Sequence, residues 1–302
     1  MNNNTIRTII EKQMHTHVKK IRAVGKGASG SVYLVKITTE PYKIAVKTSQ
    51  YSDALLKEKD MLDFLSPKVS YKVPKTCFLH QENGTAFLGM DYIKGISGKS
   101  KFMTFIPSRK HLRNSIIDAL MNAQSVHNDK FGKYDNPCFD TWADYYRDFF
   151  SAIEAFTIQK FENNEMEAEI MQAVTRIRTH FDEIFSLTAS TACLCHGDFW
   201  MPNLIINFCR SELAGAVDPF DMLWAEPEYE LFCLTLGFGE KLKLYEEYKR
   251  RNKTSKYCDL KVELYALCNE LNWYILLGEM EHAYLLFRAK RLLKMMDEKE
   301  LN

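Results

Sequence analysis

The feature that most constrains the fold of this 302-residue chain is a glycine-rich segment near its start. Gly25, Gly27 and Gly30 form a G-x-G-x-x-G pattern, in which glycines let the backbone approach a phosphate closely. A dinucleotide-binding fold needs a helix directly after the third glycine. Residues 31–38 instead have β-branched and aromatic residues at alternating positions, which predicts a loop between two strands. Alone, the pattern is only a weak indication of nucleotide binding.

A lysine at the end of the next apolar run strengthens this interpretation. Ile44-Ala45-Val46-Lys47 matches the pattern of a strand lysine that pairs with nucleotide phosphates. Such a lysine needs a glutamate partner on a following helix. Residues 55–65 have apolar residues at helical spacing with Glu58 among them, so we predict a Lys47–Glu58 ion pair. Taken singly, each of these residues would be interpreted as a solvated surface charge.

The run C-H-G-D-F-W-M-P-N at 195–203, followed by V-D-P at 217–219, has the residues that phosphoryl transfer requires. That reaction needs a carboxylate facing the acceptor hydroxyl and oxygen ligands for the magnesium ion on the phosphates. We predict that Asp198 is the catalytic carboxylate and that Asn203 and Asp218 are the metal ligands. An isolated H-G-D is usually only a turn, whereas the longer constellation indicates a kinase centre.

Two apolar stretches, residues 203–208 and 213–218, flank a polar segment at 209–212. This pattern predicts a β-hairpin that brings Asn203 and Asp218 to one end. His196 follows an apolar run, and we expect it to hold the loop through hydrogen bonds rather than to act as a base.

With these motifs in this order, the chain resembles the aminoglycoside phosphotransferase-like kinases, which include choline, methylthioribose and fructosamine kinases. It looks most like the fructosamine kinases, whose H-G-D-L-W resembles residues 196–200 and whose D-P…E-x-D-L resembles 218–219 and 228–231. Met201-Pro202 and Glu230 depart from that pattern, where a small residue with Gly and an Asp are usual. A protein kinase is disfavoured, because the chain lacks H-R-D, D-F-G and A-P-E.

The resemblance, with the strand and helix patterns, implies an α+β, two-lobed, protein-kinase-like fold. A five-stranded antiparallel N-lobe with one helix is expected in residues 1–93, and a mainly helical C-lobe in 94–302. The implied activity is ATP- and Mg²⁺-dependent transfer of the γ-phosphoryl group to a hydroxyl of a small molecule. An amino-sugar, a glycated amine or an aminoglycoside is the expected acceptor. A choline- or homoserine-type metabolic kinase and a non-catalytic pseudokinase remain alternatives.

Residues 90–93 are the expected hinge, with the backbone of Met90 and Tyr92 pairing with adenine. Downstream of the predicted metal ligands, a cluster of carboxylates beside an indole would suit an amine-bearing acceptor through charge pairing and cation–π contact. The residues of this predicted acceptor site are Asp221, Trp224, Glu226 and Glu228. The alternatives are a solvated loop, or structural roles in which Glu228 and Glu230 accept backbone hydrogen bonds.

Composition limits the range of partners. A formal net charge of +1 gives no indication of a nucleic-acid partner. The eight cysteines form no C-x-x-C pair, and the start of the chain is too polar for a signal segment, so a disulfide framework is not expected. No apolar run reaches membrane length, so we expect a soluble, cytoplasmic protein. No pattern indicates an oligomeric state.

Overall fold

A computed structural model of the chain describes residues 2–27, 30–278 and 280–301. The chain forms two compact units, one of Met1–Ala123 with Met201–Phe220 and the other of Gln124–Trp200 with Asp221–Asn302. The predicted boundary after residue 93 therefore lies inside the first unit. None of the helices in the described ranges combines the length and apolar character that crossing a bilayer requires.

Helices and strands alternate along the first part of the chain, and helices dominate its end. Up to residue 124 the elements are α1 (Asn3–Met14), β1 (Val18–Gly27), β2 (Gly30–Ile37), β3 (Lys43–Ser49), α2 (Ser52–Leu65), β4 (Thr76–Glu82), β5 (Thr85–Asp91), β6 (Ile96–Ser97), a 3-10 helix (Lys101–Phe105) and α3 (Arg109–Gln124). Those that follow, up to residue 203, are β7 (His127–Asn128), β8 (Phe131–Lys133), β9 (Asn136–Phe139), α4 (Trp142–Glu162), α5 (Ala168–Thr179), α6 (Phe181–Ile184), β10 (Ala192–Cys195) and a 3-10 helix (Met201–Asn203). The remainder are β11 (Leu204–Asn207), β12 (Glu212–Ala216), β13 (Leu223–Ala225), a 3-10 helix (Tyr229–Thr235), α7 (Phe238–Leu242), α8 (Leu244–Arg251), α9 (Cys258–Leu277) and α10 (His282–Asp297).

The predicted five-stranded antiparallel sheet is confirmed in the first unit, with strand order β1-β2-β3-β5-β4. Helix α1 buries Ile6, Ile9 and Ile10, which its helical spacing places on one face. These residues join an apolar cluster that includes side chains from β2, β3, β4 and β5. The cluster fixes the sheet whose strands carry Lys47 and the hinge.

The glycine-rich segment joins two strands, as predicted, because Gly27 and Gly30 pair across the antiparallel β1–β2 hairpin. Residues 28 and 29, between them, lie outside the described ranges. A Cβ atom at Gly30 would lie 1.8 Å from the backbone oxygen of Thr48. Gly30 is therefore required by the close approach of β2 to β3, whatever its role towards a phosphate.

The predicted hairpin after residue 203 is present in the first unit as β11 and β12, with Leu204 opposite Ala216. A turn at residues 208–211 joins the strands, and Ser211 takes a left-handed conformation there with φ of 52°. Strand β6 extends this hairpin to a three-stranded sheet through the pair Ser97 and Ile205. Residues 94–100, which we call the connector, therefore include a short strand.

The second unit combines helices with a second five-stranded sheet, of order β7-β10-β13-β8-β9. Among its helices, α4 spans Trp142–Glu162 and is followed by α5 and α6, which His180 separates. The sheet was not predicted, because strands of two to four residues are too short to show a periodicity. Its strand β10 leads directly into the H-G-D loop.

Candidate functional site

A cavity of about 730 Å³ lies within the first unit. Its apolar wall combines β1, β2 and β3 with the β11 hairpin, and the hinge and the connector complete the lining. The apolar residues of this wall are Val24, Val32, Leu34, Ala45, Ile205 and Val217. The volume lies within the range of small-molecule and cofactor pockets in proteins.

Lys47 is the polar centre of this cavity. Its side chain is 9% exposed, and Nζ lies 2.7 Å from Glu58 Oε2 and 2.6 Å from Asp218 Oδ1. Strand β3 places Lys47 between Val32 and Leu88 of its neighbouring strands, and Glu58 lies on the buried face of α2. Burial disfavours the ammonium charge, but attraction to Glu58 and Asp218 outweighs it and raises the Lys47 pKa above its usual value.

The predicted metal ligands lie at the same end of the β11–β12 hairpin. The backbone N–H of Val217 donates to the carbonyl oxygen of Asn203 at 3.0 Å, and Asp218 is the next residue. Asp218 has φ of 58°, a left-handed conformation that Asp tolerates better than most residues, and half of its side chain is exposed. This hairpin end thus carries a carboxylate and an amide, the oxygen donors that a magnesium ion prefers.

The donor set also limits how a cation would be held. Within the described residues, no group of three or more His, Cys, Asp or Glu side chains could hold a metal ion. Asn203 and Asp218 supply two oxygen donors, which fit a cation that also coordinates phosphate oxygens and water.

The remaining residues predicted to bind the nucleotide also belong to the first unit. Met90 is buried, Tyr92 is half-buried, and both line the cavity. The Tyr92 ring lies 4.1 Å below the Nζ of Lys43. Gly25 and Gly27 belong to β1, two strands from Lys47. Pairing of the hinge with adenine and contact of the glycines with phosphate remain predictions.

The H-G-D loop of the second unit is held by a buried carboxylate. Glu230 accepts hydrogen bonds from the backbone N–H groups of Gly197, at 2.8 Å, and His196, at 3.3 Å. The Asp198 N–H points to His196 Nδ1 at 3.4 Å, and the His196 ring is buried, which is the scaffold role expected of it. Burial raises the pKa of Glu230 to about 8, despite these hydrogen bonds.

Three of the four residues predicted for the acceptor site are buried inside the second unit and have hydrogen-bond partners there. Trp224 lies in β13 and donates its indole N–H to the Tyr134 carbonyl at 3.1 Å, so it has no free face for a cationic acceptor. Glu226 accepts from Lys261 and Tyr265. Glu228 accepts from Lys261 and from Ser255, so its carboxylate also has partners within the unit.

Asp221, the fourth predicted acceptor residue, differs from the other three. It is half-buried, with φ of 45°, and its role towards an acceptor remains a prediction. Lys261, which contacts Glu226 and Glu228, was not recognised from the sequence. It stands in a helix that is apolar on most sides, where an isolated lysine gives no pattern.

A family model described as fructosamine kinase matches residues 1–296. The chain belongs to the fructosamine kinase family. This family member is also 27% identical over 158 residues to the uncharacterized protein YcbJ of Escherichia coli K12. The match covers 51% of this chain and 52% of YcbJ, and the same figures hold for YcbJ of Shigella flexneri. It thus spans about half the length of the curated relatives.

Solved structures with the same fold cover nearly the whole family member. A thermostable mutant of the aminoglycoside phosphotransferase APH(4)-Ia, in ternary complex with AMP-PNP and hygromycin B, superposes with a TM-score of 0.75 at 12% identity, covering 96% of this chain and 98% of the other. A Haemophilus somnus 129PT protein provisionally assigned as a fructosamine-3-kinase gives 0.66 at 16% identity, covering 95% and 96%. The two-lobed kinase-like fold is thereby confirmed.

The two departures from the fructosamine kinase pattern occupy packed positions. Met201 is buried, and a Cβ atom at Gly98 would lie 2.2 Å from its backbone oxygen. The carbonyl of Pro202 accepts from Ser97 Oγ at 2.8 Å. Met201-Pro202 thus packs against the connector, and Glu230 against the H-G-D loop.

Proposed function

We propose that this member of the fructosamine kinase family is an ATP- and Mg²⁺-dependent phosphotransferase. It moves the γ-phosphoryl group to a hydroxyl of a small molecule, with an amino-sugar, a glycated amine or an aminoglycoside as the acceptor. The observation that carries the proposal is the position of Lys47 Nζ, between the carboxylates of Glu58 and Asp218 in the wall of a nucleotide-sized cavity. A lysine in this position, beside a carboxylate that can bind a metal ion, can pair with the phosphates of a nucleotide.

The comparisons support the same class of reaction. The similar APH(4)-Ia structures contain AMP-PNP or ADP together with hygromycin B, a nucleotide with a small-molecule substrate. We infer that the cavity of this chain binds ATP as the phosphoryl donor. Its apolar wall would pack against the base, and Lys47 would pair with the phosphates.

In this proposal each residue has a separate task. Asp198 orients the acceptor hydroxyl and takes up its proton late in the transfer. Asn203 and Asp218 would hold Mg²⁺, which would supply positive charge to neutralise the phosphate oxygens. Glu58 fixes Lys47 so that its ammonium group meets the phosphates without reorganising.

The test is ATP consumption by the purified chain against a panel of glycated amines, amino-sugars, aminoglycosides, choline and homoserine. Mg²⁺-dependent turnover with one of the first three classes and formation of the phosphorylated product support the proposal. Turnover only with choline or homoserine would replace the proposed acceptor with that of a metabolic kinase. Tight ATP binding without transfer to any member would favour the pseudokinase alternative.

A further inference from the structure

Residues 226–230, which we call the acidic segment, carry three carboxylates at alternate positions, and all three are buried. Glu226 and Glu230 are each 1% exposed and Glu228 is 8% exposed. Buried carboxylates require specific partners, because desolvation of an unpaired charge is costly. The partners of these carboxylates therefore show which elements the acidic segment connects.

The first two carboxylates share one cation. Lys261 of α9 has no exposed surface, and its Nζ lies 2.8 Å from Glu226 Oε2 and 2.5 Å from Glu228 Oε2. The Tyr265 hydroxyl, one helical turn further along α9, donates to Glu226 and accepts from the indole N–H of Trp142 at 2.8 Å. Two successive turns of one long helix thus fix the start of the acidic segment.

Further bonds fix Glu228 in the same unit. Its carboxylate accepts from the backbone N–H of Ser255 at 2.5 Å and from the Ser255 hydroxyl at 2.8 Å. Burial disfavours the charge of Lys261, but its attraction to Glu226 and Glu228 keeps the Lys261 pKa above its usual value. Lys261 is therefore retained as a cation in the folded protein.

The third carboxylate leads to the catalytic loop. Glu230 lies two residues after Glu228 and accepts from the N–H groups of His196 and Gly197, immediately before Asp198. A shift in the backbone at 228 is passed to Glu230, because only Tyr229 separates them. Tyr229 is itself packed among aromatic rings, with the Trp142 ring 5.0 Å away. The segment therefore has little freedom to absorb such a shift.

From these contacts we infer that Lys261 is a positioning residue for Asp198, acting through the acidic segment and the Glu230 hydrogen bonds to the H-G-D loop. The inference rests on the proposed function, in which Asp198 orients the acceptor hydroxyl. It gives a remote lysine of α9 a role in turnover without any contact with nucleotide or acceptor.

A matched control exists in the same unit. Arg288 of α10 is 4% exposed and its Nη1 lies 2.8 Å from Glu263 of α9, so it is also a buried cation with a buried carboxylate partner. Its guanidinium also donates to the hydroxyl of Tyr284, one turn earlier on its own helix. These two partners lie on α9 and α10, outside the acidic segment and the loop. Loss of either cation should cost stability, but only loss of Lys261 should disturb the loop.

The experiment compares Lys261→Met and Arg288→Met with the wild-type chain. Amide hydrogen exchange of peptides covering residues 192–200 measures the order of the loop without any activity assay. We expect exchange of the loop to rise about tenfold or more in Lys261→Met and to change less than about twofold in Arg288→Met. With the acceptor found by the panel, kcat should fall about 10- to 100-fold in Lys261→Met while the KM for ATP stays within about twofold.

Should Lys261→Met not fold, Glu228→Gln provides the test, since it keeps the Lys261–Glu226 pair and removes one anchor. A smaller rise in loop exchange, above that of Arg288→Met, is then expected. Unchanged loop exchange in a folded Lys261 or Glu228 variant, or an equal rise in Arg288→Met, would overturn the inference. If no acceptor is phosphorylated even by wild type, the proposed function fails while the exchange measurements still decide the role of Lys261.

Discussion

At the scale of single residues, Lys47 is fixed from two sides by protein carboxylates. Its ammonium group contacts a buried glutamate of α2 and the half-exposed Asp218. The buried partner supplies orientation, and the exposed one faces the space where phosphates and a cation are proposed to bind. The Lys47–Glu58 pair could be predicted because the I-A-V-K motif at 44–47 and the helical spacing of residues 55–65 both indicate the kinase arrangement.

Replacing Asp198 by Asn should leave ATP binding nearly intact and reduce turnover by about 10²- to 10⁴-fold, because the amide keeps the shape but cannot accept a proton. The measurement is kcat with the acceptor found in the panel, alongside the ATP-induced shift in Tm. Retention of the Tm shift controls for folding. Ordinary turnover in this variant would sink the assignment of Asp198.

Asp218→Ala should abolish the part of nucleotide stabilisation that depends on Mg²⁺, because the variant loses the carboxylate of the proposed metal site. The quantity to compare is the Tm gain with ATP in the presence of Mg²⁺ and in EDTA. Asp221→Ala is a suitable control, since Asp221 is near in sequence but is not a proposed metal ligand. A full Mg²⁺-dependent gain in Asp218→Ala would count against its ligand role.

The same scale shows why the burial of three predicted acceptor residues was not expected. Glu226 and Glu228 follow Asp218 closely in sequence, and a local pattern cannot show that their partner is Lys261 on a later helix. The burial of Trp224 could not be predicted for the same reason, because its hydrogen bond to Tyr134 depends on the pairing of β13 with β8. Proximity in sequence to a proposed metal ligand does not determine whether a side chain is exposed.

At the scale of elements, the connector links the predicted hinge to the β11–β12 hairpin within the first unit. Strand β6 pairs with β11, and the N–H of Gly98 donates to the Leu204 carbonyl at 2.9 Å. The hairpin itself was predicted, since a polar turn separates two apolar runs. Strand β6 was not predicted, because two residues are too few to show an alternating pattern and their partner strand β11 lies far along the chain.

Gly98→Ala should destabilise the protein by about 1–3 kcal/mol, because the added Cβ would lie 2.2 Å from the carbonyl oxygen of Met201 and backbone must move to relieve the overlap. Urea denaturation measures the change. Gly25→Ala is the matched control, since nothing lies within 4 Å of a Cβ atom there. Equal stability of the two variants would contradict the tight packing of the connector on Met201.

At the scale of the whole molecule, stability should depend on pH through Glu230. The folded protein holds a proton on this carboxyl up to about pH 8, whereas its ordinary pKa is 4.5. Between these values the folded state binds more protons than the unfolded state, so stability falls as pH rises. The stabilising contribution is complete below pH 4.5 and is lost as pH rises through 8.

Glu230→Gln should therefore remove part of this pH dependence, because the amide resembles the protonated acid and never becomes charged. We expect the Tm of the variant to approach that of wild type near about pH 5 and to rise relative to it towards about pH 8.5. Thermal unfolding across that range is the measurement, with Glu240→Gln as a control at an exposed carboxyl. A constant Tm difference at all pH values would contradict the raised pKa.

The division of the chain has a consequence for its synthesis. The first unit is built from two stretches, and the second of them follows Gln124–Trp200 of the other unit. On the ribosome, the β-sheet that carries Lys47 can form early. The Lys47–Asp218 ion pair and the pairing of β6 with β11 can form only after the second stretch has been synthesised. A nascent chain stalled before residue 201 would therefore hold the lysine with only one of its two carboxylates, and it would gain the other only when translation of the hairpin is complete.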